Sequence, residues 1–228
     1  MRTIIVAILA AFLLTTGAFS ALSAEPAFGN EDGNFTVLER PEVRRGDIFV
    51  YNKYNGWTDK IEGVFVNEVM QVSDDKILLG VRPKASTSRP TILEFTRDWN
   101  ILKNRNSVYT PHFPANKFPV SKGDVWEGKS TRADLVADER AEYTVSAKAA
   151  GIEEVTVPAG NFRTMKIVVN TQYRVSNRVG VGSGKRTEIF WYTPGISKFV
   201  KSTYEDTNWA GAPLNNERFE LVEFVKGK

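Results

Sequence analysis

Met165-Lys166-Ile167-Val168-Val169-Asn170-Thr171-Gln172-Tyr173-Arg174-Val175 is the stretch whose reading decides the fold class. At a two-residue period, Met165, Ile167, Val169, Tyr173 and Val175 share one face, and Lys166, Asn170, Gln172 and Arg174 share the other. Side chains alternate faces along a strand, so this is a long strand with one apolar and one wet side. Ala141-Glu142-Tyr143-Thr144-Val145-Ser146-Ala147-Lys148 repeats the alternation without a break. Ile61 to Val72, Glu188 to Tyr192, Lys198 to Tyr204 and Arg218 to Val225 are also strand-like. Turn signals at Asp74-Asp75, Pro158-Ala159-Gly160-Asn161 and Pro194-Gly195 separate these runs by short connections. Such connections favour antiparallel hairpins, since parallel pairing needs a crossover of a dozen or more residues. One or two helical turns are expected near Ala133 to Arg140. The expected fold is all-β: a curved antiparallel sheet forming a half-barrel or open barrel, with a two-sheet β-sandwich as the alternative.

Outward from these strands, the chain carries a faint internal echo. Gly46-Asp47-Ile48-Phe49 opens one series and Gly123-Asp124-Val125-Trp126 another, each followed by a long strand and later by a strand–turn–strand pair. Pro111, Pro114 and Pro119 mark the joint, where regular structure is interrupted. The expected organisation is a first β unit over 41–110 and a second over 111–228, or both in one continuous domain. Residues 25–40 are polar and glycine-containing and read as a loose leader. Residues 1–24 read as a secretory signal peptide: Arg2 precedes an apolar run from Ile4 to Leu14, and Ala21-Leu22-Ser23-Ala24 supplies the small-residue cleavage site. The apolar run is shorter than the roughly 20 residues that span hydrocarbon. No cysteine stands at the cleavage point, so no lipid anchor and no transmembrane segment are expected in the mature chain. The expected location is periplasmic or secreted.

Composition narrows the chemistry. The 228 residues include no cysteine and a single histidine, His112, which excludes thiolate catalysis, disulfides, thiolate zinc and multi-histidine metal sites. Without the first 24 residues the chain keeps 29 cations against 27 anions, a balance that does not suit nucleic acid. Gly180-Val181-Gly182-Ser183-Gly184-Lys185-Arg186-Thr187 fails the phosphate-loop pattern, because Val179 replaces its first glycine and Arg186 follows the lysine. Ser183 fails the nucleophile elbow, and His112 lies in a proline-rich connector with no nucleophile signature. Asp74-Asp75, Asp138-Glu139 and Glu153-Glu154 are adjacent pairs that point to opposite faces of a strand, so none converges as an acid/base pair by itself. No cofactor, no metal and no enzymatic activity are expected.

Two positive signals remain. Between Glu154 and Glu188 there is no acid, while Arg163, Lys166, Arg174, Arg178, Lys185 and Arg186 all occur there. That surface could meet an anionic envelope component, or be a solvated face neutralised by neighbouring strands. The second signal is aromatic content, with Trp57, Trp99, Trp126, Trp191, Trp209, Tyr192 and Tyr204 able to pack a core or line a cavity.

Gly123-Asp124-Val125-Trp126, Val157-Pro158-Ala159-Gly160-Asn161-Phe162-Arg163-Thr164-Met165-Lys166-Ile167 and Trp191-Tyr192-Thr193-Pro194-Gly195 occur in that order. Together they resemble the pattern of a family of exported bacterial β-sheet proteins known as a domain of unknown function, over roughly residues 118–226. Ile196-Ser197 departs from the Val-Gly that often follows the last glycine in that family. The resemblance implies export and a curved antiparallel sheet, and it hands over no catalytic residue. The combined expectation is a binding or carrier module for an apolar or amphipathic envelope ligand such as a lipid or glycolipid. Trp126, Lys166, Arg174, Arg178, Lys185, Arg186, Trp191 and Tyr192 are its candidate contacts. A structural or assembly factor that binds another envelope protein is the alternative, and a hydrolase acting on envelope glycans the third.

Overall fold

A computed structural model describes residues 35–228, and no helix occurs among them. The expected signal peptide and the leader up to residue 34 lie outside the described residues. Strands β1 (Val37–Leu38) and β8 (Val120–Ser121) form a small separate pair. The first series comprises β2 (Ile48–Asn55), β3 (Ile61–Val72), β4 (Lys76–Pro83), β5 (Thr91–Thr96), β6 (Ile101–Asn104) and β7 (Ser107–Thr110). The second comprises β9 (Val125–Asp134), β10 (Glu139–Val157), β11 (Gly160–Ser176), β12 (Val181–Tyr192), β13 (Lys201–Asn208) and β14 (Pro213–Val225). All pairings are antiparallel.

These twelve strands form a closed barrel, not the half-barrel, open barrel or sandwich expected from the sequence. Each series occupies the other's edges: β7 pairs with β9, and β14 pairs with β2. Closure is favoured because an open sheet would leave two rows of unpaired backbone groups.

The alternation sets inside from outside. On β10, Ala141, Tyr143, Val145, Ala147 and Ala149 are buried in the barrel, while Glu142, Thr144, Ser146 and Lys148 are exposed. The register carries Met165, Ile167 and Val169 of β11 inward opposite Tyr192, Phe190 and Glu188 of β12. This apolar-in, polar-out arrangement is the reverse of what a lipid-embedded barrel presents.

The two Gly-Asp sequences build the same corner. Gly46 and Gly123 adopt positive φ (85° and 95°), which favours glycine. Asp47 accepts a hydrogen bond from Arg44 N, as Asp124 does from Ser121 N. Gly46 N donates to Val69 O and Gly123 N to Ala149 O, next to the bulges of β3 and β10.

Two connectors close the lower end. Residues 111–119 bring Phe113, Ala115 and Phe118 into the barrel against Tyr143 and Tyr192. Residues 193–200 carry the buried Ile196, Ser197, Lys198 and Val200. The segment expected to be helical near Ala133 is instead the end of β9, a turn and the start of β10. Asp134 Oδ1 caps that turn by accepting from Val136 N and Ala137 N.

Candidate binding cavity

The chain leaves β12 at Tyr192, turns at Thr193-Pro194-Gly195, where Gly195 has φ 81°, and runs back beneath the barrel. This return segment is pinned on every side. Ser197 Oγ donates to the buried Asp47, Trp99 Nε1 donates to Ser197 O at 2.7 Å, and Tyr51 Oη donates to Phe199 O at 2.6 Å. Val200 N donates to Trp191 O and Leu221 N to Val200 O, both at 2.8 Å. Asp47 holds the far end of the network, accepting also from Gly227 N at 2.8 Å.

So fixed, Lys198 lies inside the barrel with 6% of its surface exposed. Its Nζ is 3.8 Å from the Phe199 ring centroid, 4.7 Å from Tyr51, 5.8 Å from Trp99 and 6.0 Å from Phe49. Among the described residues it has neither a carboxylate nor a hydrogen-bond partner. Burial alone pushes its ammonium down to about 7. The surrounding ring faces act in the opposite direction, because they attract the charged form.

Lys198 borders two adjoining cavities. One, of about 380 Å³, extends between β2–β5 and β12–β14 and is walled chiefly by Phe65, Leu79, Leu93, Phe190, Phe199 and Phe219. The other, of about 200 Å³, lies toward Ile101, Phe113 and Asn116. The larger one falls within the range of small-molecule sites, about 300–1,000 Å³. Its upper end carries Lys53 and Glu217, half-buried and paired at 2.8 Å. Asn67 Oδ1, on the wall of the larger cavity, is buried with no hydrogen-bond partner. Glu188 lines both cavities and is held by Arg186, with Nε 3.1 Å from Oε2.

Arg186, Trp126 and Tyr192, singled out from the sequence, face the interior. The Arg186 guanidinium stacks over Phe113 at 4.6 Å and over Tyr143 and Tyr204 at 5.4 Å. Burial opposes its charge, but Glu188 and Tyr204 outweigh that and hold its pKa above the usual arginine value. Trp126 Nε1 donates to Pro114 O at 3.2 Å, tying the connector to β9. Tyr192 packs edge-on against Phe118, and burial pushes its hydroxyl well above the usual tyrosine range.

The other candidates lie outside the barrel. Lys166 and Trp191 are partners across β11 and β12 and meet Glu153, which accepts from Trp191 Nε1 at 2.6 Å and lies 3.4 Å from Lys166 Nζ. Arg174 and Lys185 are exposed on the outer face, and Arg178 pairs with Asp138 at 2.8 Å on a hairpin tip. Three of the eight candidates therefore face the interior and four the outer side of the sheet, with Arg178 on a hairpin tip. Lys198, Asn67 and the phenylalanine walls are the cavity groups that sequence reasoning missed. The one signal for Lys198 was a lysine inside Ile196-Ser197-Lys198-Phe199-Val200, directly after a proline–glycine turn.

Among the described residues no group of acids, histidines or cysteines is placed to hold a metal ion, and no helix is long and apolar enough to cross a membrane.

No protein-family model and no curated protein matches the chain. Among solved structures it is similar to a Bacteroides fragilis protein described as exported with a YmcC-like fold: 18% identity, TM-score 0.48, covering 83% of this chain and 100% of that one. It is also similar to a protein described as a lipoprotein from Parabacteroides distasonis, with 12% identity, TM-score 0.46 and coverage of 84% and 100%. The hypothetical lipoprotein YmcC from Escherichia coli matches at 11% identity and TM-score 0.45, over 78% of this chain and 83% of that one.

Proposed function

We propose that the protein is a non-enzymatic binding or carrier module of the cell envelope that encloses the apolar part of an amphipathic ligand inside its barrel. The observation that carries this reading is the aromatic-walled interior cavity of about 380 Å³ with a half-buried polar upper end. Twelve strands enclose a wider interior than the roughly eight whose side chains just fill a barrel, and empty apolar volume costs stability. Burying a ligand's apolar surface would recover about 25 cal/mol per Å² removed from water. Docking of another protein by strand addition has less support, since every barrel strand has a neighbour on both sides.

Native mass spectrometry of the chain purified gently from its own cells tests the reading. A reproducible added mass that organic solvent removes is expected. The bare chain mass in every preparation, with no uptake of added amphiphiles, would overturn it.

A further inference from the structure

We infer that the ligand of this cavity is a carboxylic acid with one apolar chain, seated head-inward so that its carboxylate pairs with Lys198. This deepens the carrier reading and rests on it. Each of the other interior cations described has its own acid: Arg186 holds Glu188, Lys53 holds Glu217, and Arg132 holds Glu139. Lys198 is the more buried ammonium and has none. A buried charge without a partner is expensive, and lysine ordinarily escapes the cost by extending its flexible stem to water. Here the backbone on either side is fastened through Ser197, Phe199 and Val200, so the side chain starts beneath the barrel and its ammonium lies among the rings of Phe199 and Tyr51.

The carboxylate on the wall is paired elsewhere. Glu188 borders the same cavities and forms an ion pair with Arg186, which has no other acid within ion-pair distance among the described residues. A protein that needed only a filled core would place leucine or methionine at position 198, whose neighbours are phenylalanine, tyrosine and tryptophan rings. The ammonium instead adds one positive charge and three donors at the inner end of an apolar space. A single ammonium suits one carboxylate; a phosphate dianion is ordinarily gripped by several donors or by the arginine fork. The rings around Nζ complete the arrangement by excluding water from the ion pair. The volume of about 380 Å³ suits one medium-length chain.

Pairing with a carboxylate favours the charged lysine, so binding above neutral pH draws a proton onto Lys198. Titration calorimetry of the purified chain with dodecanoate, run at pH 8 in buffers of different ionisation enthalpy, reads that uptake directly. Dodecanol is the neutral control of the same length. Dodecanoate is expected to bind roughly 10- to 100-fold more tightly than dodecanol, the worth of one charge-assisted contact. It should take up close to one proton per molecule bound, and dodecanol none. Lys198→Met is expected to abolish the preference and the proton uptake while keeping dodecanol binding. Equal affinity for the two probes, or dodecanoate binding without proton uptake, would overturn the inference even if the variant fails to fold. Binding of neither probe would overturn the carrier reading and this inference with it; dodecanol binding alone would overturn only the inference.

Discussion

Replacing Lys198 by methionine removes a buried ammonium from an aromatic enclosure while keeping the length of the side chain. The lysine's ordinary value is 10.5, and burial brings it to about 7 in the folded chain, a gap worth about 5 kcal/mol at most. Contacts with the surrounding rings return part of this, at about 0.5–2 kcal/mol per good contact, so a net penalty of about 2–4 kcal/mol is expected. The pH window follows from linkage. Within the span from pH 7 to 10.5 the folded chain gives up the Lys198 proton at lower pH than the unfolded chain does, so stability rises with pH there. The methionine variant lacks this term. It should therefore be more stable than the parent below pH 7, by the full penalty, and the advantage should shrink to near zero by pH 10.5. Urea unfolding of the two ligand-free proteins at several pH values from 6 to 10, compared as a difference so that other groups cancel, measures it. A difference that does not change with pH would refute the account of Lys198 as an uncompensated buried ammonium.

Other substitutions test the elements around it. Glu188→Gln leaves the Arg186 guanidinium buried without its carboxylate, and should lower stability by about 3 kcal/mol in denaturant unfolding. Asp47→Ala deprives Ser197 Oγ, Gly227 N and Arg44 N of their acceptor, with an expected loss of about 3 kcal/mol. It should also weaken dodecanoate more than dodecanol, because the segment that aims Lys198 is released. Ser202→Phe places a ring in the larger cavity from β13 and should block both probes, at a stability cost within about 1–2 kcal/mol measured by thermal melting.

How much of this was legible varies by residue. The faces of 141–148 divide without exception and those of 165–175 with two, since Val168 lies on the outer face and Thr171 is buried on the inner one; β10 and β11 follow them, because one side of each is core and the other water. Barrel closure was not legible: the pairings of β7 with β9 and β14 with β2 depend on register between distant segments, which alternation does not encode. The expected helix failed because Leu135 and Val136 sit in an exposed turn capped by Asp134, a local hydrogen-bond choice that helical periodicity does not anticipate. The acid-free run placed Lys185 and Arg186 on one basic surface, although strand β12 begins at Val181 and sends the two side chains to opposite faces. Lys198 was hidden for a related reason. The run from Lys198 to Tyr204 looks like continuous strand, whereas β13 begins only at Lys201 and the preceding residues turn under the barrel. What lies inside there is set by Asp47, Trp99 and Tyr51, which are remote in sequence.

The central claim is that an amphipathic acid lies inside the barrel. An isotope-filtered NOE spectrum of the protein with ¹³C-labelled dodecanoate tests it most directly. The account predicts contacts from the chain to the ring protons of Phe95, Phe190 and Phe199, which wall the cavities. Contacts confined to Trp57 and Trp209, exposed on the upper hairpin tips, would contradict it.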